Sequence, residues 1–153
     1  MSLSSDAIEI LKGKTLSTAE SCTGGGIGAA LTAVPGSSAV YKGGVISYTT
    51  EVKKEILCVP EEWLEKYGAV SSWVAMEMAS GVRGLLHTDV AVSVTGLAGP
   101  GGDEYGHPVG TVYIAYEDRQ RNGVHHYCFE GDREAVRSQT VEAALKLILL
   151  YNS

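Results

Sequence analysis

Apolar positions along this chain follow two alternating rhythms, a helical period near 3.6 residues and short, almost continuous β-branched runs. Ala7, Ile8 and Leu11 mark a first helix over 5–12, stopped by Gly13. Thr15–Ala19 reads as a strand, and SCTGGGIG then leads into an apolar helix over Ile27–Ala33 that Pro35-Gly36 closes. Val40–Tyr48 is rich in β-branched and aromatic residues and predicts a second strand. Short helices follow over Glu51–Leu57 and Pro60–Tyr67, the second opening on proline and two acids as the helix dipole favours. Ser71 or Ser72 caps a longer helix to Leu86 with Val74, Met78, Val82 and Leu85 as its apolar stripe. Val90–Thr95 is apolar enough for a strand buried on both faces. After the glycine-rich loop Gly96–Pro108, Val109–Tyr116 and Val124–Phe129 predict a hairpin about Arg121-Asn122-Gly123. Asp132 caps a last helix to about Tyr151, with Val136, Thr140, Ala144, Leu145 and Ile148 facing inward.

Helices interleaved with strands predict an α/β fold, a three-layer α/β/α sandwich with a mixed, mostly parallel central sheet. No linker, internal repeat or low-complexity segment interrupts residues 1–153, which read as one domain. The composition agrees, with 44% hydrophobic residues. Eighteen acidic against 12 basic residues leave a net charge of -6 without basic runs, which argues against nucleic acid or an anionic membrane as partner. Three cysteines (Cys22, Cys58, Cys128), an odd number with no paired spacing, fit a reducing cytoplasm, and neither a signal peptide nor a membrane span is expected from the N-terminal pattern and the apolar runs.

Four segments carry candidate chemistry. Glu20-Ser21-Cys22-Thr23-Gly24-Gly25-Gly26 lies where a strand gives way to a helix, so backbone N–H groups there can face an oxyanion or phosphate. An ordinary N-cap with a glycine turn is the alternative, although three glycines exceed what a cap needs. Gly24-x-Gly26-x-x-Ala29 has dinucleotide-motif spacing, but the acid expected about 20 residues later is replaced by Gly43 and Gly44, which disfavours a dehydrogenase. Tyr48-Thr49-Thr50-Glu51-Val52-Lys53 places a lysine one turn into a helix, where a desolvated amine can serve a serine as base; a solvated surface lysine is the alternative, as expected for Lys54. Thr95-Gly96-Leu97-Ala98-Gly99-Pro100-Gly101-Gly102 follows the buried strand and can form an opposing wall, or be a connector. Arg133 and Arg137 share a face at the start of the last helix, where positive charge opposes the dipole unless an anion or Asp132 or Glu134 pairs with it. A Ser-His-Asp triad lacks the Gly-x-Ser-x-Gly elbow, Cys22 fits packing better than catalysis, and His126 with Cys128 is too few ligands for zinc.

Taken in order, ESCTGG, YTTEVK, TGLAGPGG and GDREAVR resemble the CinA C-terminal family and its stand-alone nicotinamide-nucleotide amidases. The resemblance implies hydrolysis of nicotinamide mononucleotide to nicotinate mononucleotide and ammonia in pyridine-nucleotide salvage, without metal or cofactor, commonly as a homodimer. It places the family's serine at Ser21, its tyrosine at Tyr48, its lysine at Lys53 and its threonine at Thr95. On this expectation Lys53 deprotonates Ser21 directly or through Tyr48, and Thr95 orients the amide or Lys53. Backbone of Cys22, Thr23, Gly24 and Gly25 holds the oxyanion. Gly99, Gly101 and Gly102 with Arg133 or Arg137 take the ribose phosphate, and Gly96 is a further substrate-binding residue. The chain departs from the family at Thr50, where Asn is common, and at Cys58-Val59, where Gly-Val is common. Many relatives carry an added N-terminal nucleotide-hydrolysing domain, whose activity is not expected of these residues. A non-catalytic nucleotide-binding module in a competence or damage-response assembly is the rival expectation.

Overall fold

The computed structural model describes residues 2–153. Five strands form one sheet in the order β2-β1-β3-β4-β5: β1 (Leu16–Glu20), β2 (Tyr41–Ile46), β3 (Val90–Gly96), β4 (Thr111–Glu117) and β5 (Asn122–Cys128). β1 pairs in parallel with both β2 and β3, whereas β3–β4 and β4–β5 are antiparallel. The sheet is therefore mixed as expected, but its parallel character is confined to three strands. Both faces are covered. α1 (Leu3–Ile10), α2 (Gly26–Thr32) and α6 (Arg133–Asn152) pack with Leu16, Val92, Val94 and Ile114 on one side. α4 (Glu61–Tyr67) and α5 (Ser72–Leu86) pack with Ala19, Ala91 and Ala115 on the other. A single 3₁₀ turn over Ser37–Ala39 precedes β2, and α3 (Thr50–Glu55) follows it.

β1 and β3 are central, so every residue of β1 and all but the last of β3 are buried, as the continuous apolar run in β3 required. The chain leaves β1 toward β2 by way of α2, then returns past β1 to β3 by way of α5, on the opposite face. Such a reversal opens a crevice at the carboxyl ends of the two central strands. Ser21 follows one of those ends and Thr95 lies at the other. The edge strand β2 carries a bulge, Leu16 pairing with Tyr41 but Ser17 with Gly43, which leaves Lys42 out of register. A bulge turns the rest of an edge strand relative to its neighbour, and pairing is then regular to Glu20–Ile46, after which the Ser47 N–H donates to the Glu20 carbonyl at 2.7 Å.

The caps follow local chemistry. The Ser71 hydroxyl accepts from the Val74 N–H at 3.1 Å, and the Asp132 carboxylate from the Ala135 N–H at 2.9 Å. Leu85, expected on the packed stripe of α5, is 48% exposed, while Val74, Met78 and Val82 are buried. Periodicity names a face of a helix but not how far along it the neighbouring layer extends. The hairpin turn lies earlier than expected. Asp118 accepts from the N–H groups of Gln120 and Arg121, both at 2.8 Å, so the turn is Asp118–Arg121 and Asn122-Gly123 begins β5. In α5, a Cβ on Gly81 would collide with the backbone carbonyl of Leu57, which approaches the helix there. Gly81→Ala is expected to destabilise the fold by about 1–3 kcal/mol in denaturant melts, whereas Gly84→Ala, facing open space, should not.

Candidate active site

Two tight turns bridge β1 and α2: the Gly24 N–H donates to the Ser21 carbonyl and the Gly26 N–H to the Thr23 carbonyl, each at 3.0 Å. The chain can follow this path because Gly24 and Gly25 adopt φ of 57° and 99°, a left-handed region that penalises a Cβ. The turns leave Ser21 at the carboxyl edge of β1, 6% exposed. α3 is capped by Thr49, whose hydroxyl accepts from the Val52 N–H at 3.3 Å, and Lys53 points from it back into the crevice. The Lys53 amine donates to Ser21 Oγ at 2.9 Å and to the Ser47 carbonyl at 2.6 Å. It is 1% exposed, and no carboxylate lies within ion-pair distance among the described residues. Burial without a countercharge penalises the ammonium and lowers its pKa from 10.5 to about 8. The adjacent Lys54 is exposed and meets Glu61 at 3.4 Å, the ordinary surface arrangement.

Around this pair lies a cleft of about 290 Å³. Ser21, Cys22, Tyr48 and Lys53 form one wall, and Thr95 to Gly99 with Gly101 form the facing one. Ala69 and Val70, from the connection between α4 and α5, close a third side, and Arg133 stands at the rim. Arg133 donates to the Gly99 carbonyl at 2.6 Å and to Tyr48 Oη at 2.9 Å, a strap between the two walls. Two of its five N–H donors are thereby used. Thr95 donates to the Ala69 carbonyl at 2.7 Å, joining the buried strand to the third wall.

Several residues depart from their expected roles or places. Tyr48 is 57% exposed, and its hydrogen bond goes to Arg133 rather than to Ser21 or Lys53, so the amine reaches the serine without a relay. Arg137 is not at the cleft; it donates to the carbonyls of Cys22 and Thr23, both at 3.0 Å, and so holds the serine turn from behind. Thr23, Gly24, Gly25 and Gly102 do not line the cleft either. The Thr23 hydroxyl is turned to Glu20, and the Gly24 N–H is spent inside the turn. The start of α2, expected to receive an anion, already holds one: the Glu20 carboxylate accepts from the Ile27 and Gly28 N–H groups at 2.9 Å each. Among the described residues, the N–H groups of Cys22 and Thr23 donate to no backbone carbonyl. The Cys22 thiol is buried, which raises its pKa to about 11. Asp103 and His107, 2.7 Å apart, brace the loop after β3, and His126 meets Cys128 only at 3.8 Å on β5. Sequence reasoning gave no role to Glu20, Ser47, Ala69 or Val70. Ser47 contributes a backbone carbonyl, which leaves no trace in residue type, and Glu20 ends β1 six residues before α2, too far upstream to read as an N-cap.

Known proteins match both the chain and the fold. Residues 2–151 match the family model described as the CinA C-terminal domain. A CinA-like protein of Parasynechococcus marenigrum is 57% identical over 74% of this chain and 28% of its own length. A competence-damage inducible protein of Acetivibrio thermocellus is 49% identical over 90% of this chain and 33% of its own. The chain thus spans about a third of the length of these curated relatives. The crystal structure of the competence damage-inducible protein A of Klebsiella pneumoniae superposes with a TM-score of 0.92 at 40% identity, covering 95% of this chain and 92% of that one. The competence/damage inducible protein of Agrobacterium tumefaciens gives 0.95 at 39% identity, covering 99% and 94%. The chain belongs to the CinA C-terminal domain family.

Proposed function

We propose that this protein is a serine amidohydrolase that releases ammonia from nicotinamide mononucleotide. One observation carries the reading: a fully buried amine without a carboxylate partner lies 2.9 Å from a serine hydroxyl in a cleft. A lysine held near pKa 8 supplies a useful fraction of neutral base near neutral pH. Lys53 accepts the Ser21 proton, and Ser21 Oγ attacks the carboxamide carbon. The N–H group of Cys22, which lines the cleft and donates to no backbone carbonyl, receives the charge that develops on the oxygen, a contribution of about 3 kcal/mol in comparable sites. The C–N bond breaks as Lys53 returns its proton to the departing nitrogen, leaving an ester on Ser21. Water then adds to the ester, giving a proton to Lys53, and the nicotinate product leaves as Ser21 regains that proton. Arg133 retains three donors at the rim and receives the substrate phosphate, a charge-assisted contact. The walls formed by Gly96, Gly99 and Gly101 allow the planar carboxamide a close approach.

The direct test is ammonia release from nicotinamide mononucleotide and from free nicotinamide by the purified protein. The mononucleotide is expected to be strongly preferred. Arg133→Gln should lower kcat/KM for the mononucleotide roughly 10- to 100-fold, mostly through KM, because a hydrogen bond to a charged group contributes about 1.5–3 kcal/mol. Free nicotinamide should be turned over equally by both proteins. Tight binding of the mononucleotide without any ammonia release would favour the binding-module reading.

A further inference from the structure

We propose that Glu20 is the positioning residue that sets the distance between Ser21 and Lys53. The proposal rests on the reading that these two form the catalytic pair. Glu20 is 2% exposed and does not line the cleft, so it cannot touch substrate. Its carboxylate nevertheless ties the turn that carries the serine to the start of α2. Oε1 accepts from the Thr23 hydroxyl at 2.6 Å and the Ile27 N–H at 2.9 Å. Oε2 accepts from the Gly28 N–H at 2.9 Å and, more weakly, the Thr18 hydroxyl at 3.4 Å. The first turn of α2 is thereby fixed to the last residue of β1, with Ser21 directly between. The backbone carbonyl of the same residue accepts from the Ser47 N–H at 2.7 Å and the Ser47 hydroxyl at 3.2 Å. Ser47 in turn offers its carbonyl to the Lys53 amine at 2.6 Å. One residue therefore anchors the nucleophile through its side chain and the base through its main chain.

The charge is suited to its place. A buried carboxylate is costly unless its oxygens are satisfied, and here four donors and the positive end of α2 satisfy them. Gly28 also belongs to the arrangement, since a Cβ there would crowd Tyr41 Oη at 2.9 Å and approach Glu20 Oε2 at 3.5 Å. Glutamine cannot replace this carboxylate. Each oxygen receives a backbone N–H, so an amide would set its own NH₂ against one of them. The first turn of α2 would shift, and displacement of reacting groups by about 1 Å can cost on the order of 10²-fold in rate.

The test compares wild type with Glu20→Gln and with Thr23→Val, which removes one donor and keeps the shape. Turnover of nicotinamide mononucleotide and covalent labelling of Ser21 by a fluorophosphonate are measured on folded protein. Glu20→Gln is expected to lower kcat about 10- to 100-fold with KM within twofold, and to slow labelling by a similar factor. Thr23→Val should show the same split at about 2- to 5-fold. Labelling needs no natural substrate, so it reads the geometry even if wild type releases no ammonia. A folded Glu20→Gln with wild-type labelling and kcat, or a loss confined to KM, would overturn the proposal. If Glu20→Gln does not fold, an unchanged labelling rate in Thr23→Val would do the same.

Discussion

Ser21→Ala and Lys53→Met are each expected to cut turnover of nicotinamide mononucleotide by about 10⁴-fold or more, with the fold retained. Ser21→Ala removes one small, buried hydroxyl and leaves Lys53 its second partner, the Ser47 carbonyl, so little rearrangement should follow. Lys53→Met keeps the length of the side chain and removes its only titrating group. The effects should not multiply. A serine without its base and a base without its serine disable the same step, so the double variant should be about as inactive as either single one. Rates are read as ammonia release, and mass spectrometry of the quenched reaction follows the ester on Ser21. Full activity in Ser21→Ala would remove the serine from the chemistry. Losses that multiply in the double variant would show that the two side chains act in separate steps.

Much of the fold was readable because its causes are local. Asp132, Ser71 and the helix-breaking glycines announce helix ends through capping chemistry, and the α6 residues expected inward, Val136, Thr140, Ala144, Leu145 and Ile148, are all buried. Errors arose where a local rule met a global constraint. Asn-Gly is a strong hairpin signal, yet the Asp118 carboxylate closes the turn earlier and draws Asn122 and Gly123 into β5. The strand order was not readable, since the placing of β1 between β2 and β3 depends on pairings far apart in sequence. The site divides in the same way. The residue types Ser21 and Lys53 stand out as a nucleophile and a possible base, but their 2.9 Å contact exists only once α2 and α3 are hung on adjacent strands. Arg133 and Arg137 look equivalent in sequence, four residues apart on one helix. One turn of helix separates the rim of the cleft from the back of the serine turn, and that decides which of them can meet a substrate.

The buried amine should also be visible in stability. Lys53 holds its proton with an ordinary pKa of 10.5 when unfolded and about 8 when folded. Below pH 8 both states carry the charge, and the native state bears the full cost of burying it. Between pH 8 and 10.5 the unfolded chain binds more protons, so stability rises with pH as the native lysine discharges first. A drop of this size corresponds to about 3 kcal/mol across the window. Lys53→Met abolishes that cost but leaves the Ser47 carbonyl without its donor, a penalty of about 1–3 kcal/mol. The variant is therefore expected to equal or exceed wild type in stability at pH 7 and to fall behind by about 1–3 kcal/mol as the pH approaches 10.5, the difference between the two shifting by about 3 kcal/mol over that range. Urea denaturation of both proteins at several pH values measures the difference, in which the tyrosines and cysteines common to both largely cancel. The kinetic counterpart is a rise of kcat/KM through an apparent pKa near 8. A stability difference that stays flat from pH 7 to 10 would mean that the folded amine keeps its solution pKa. Lys53 would then be almost wholly protonated at neutral pH and unable to take the serine proton as its resting base.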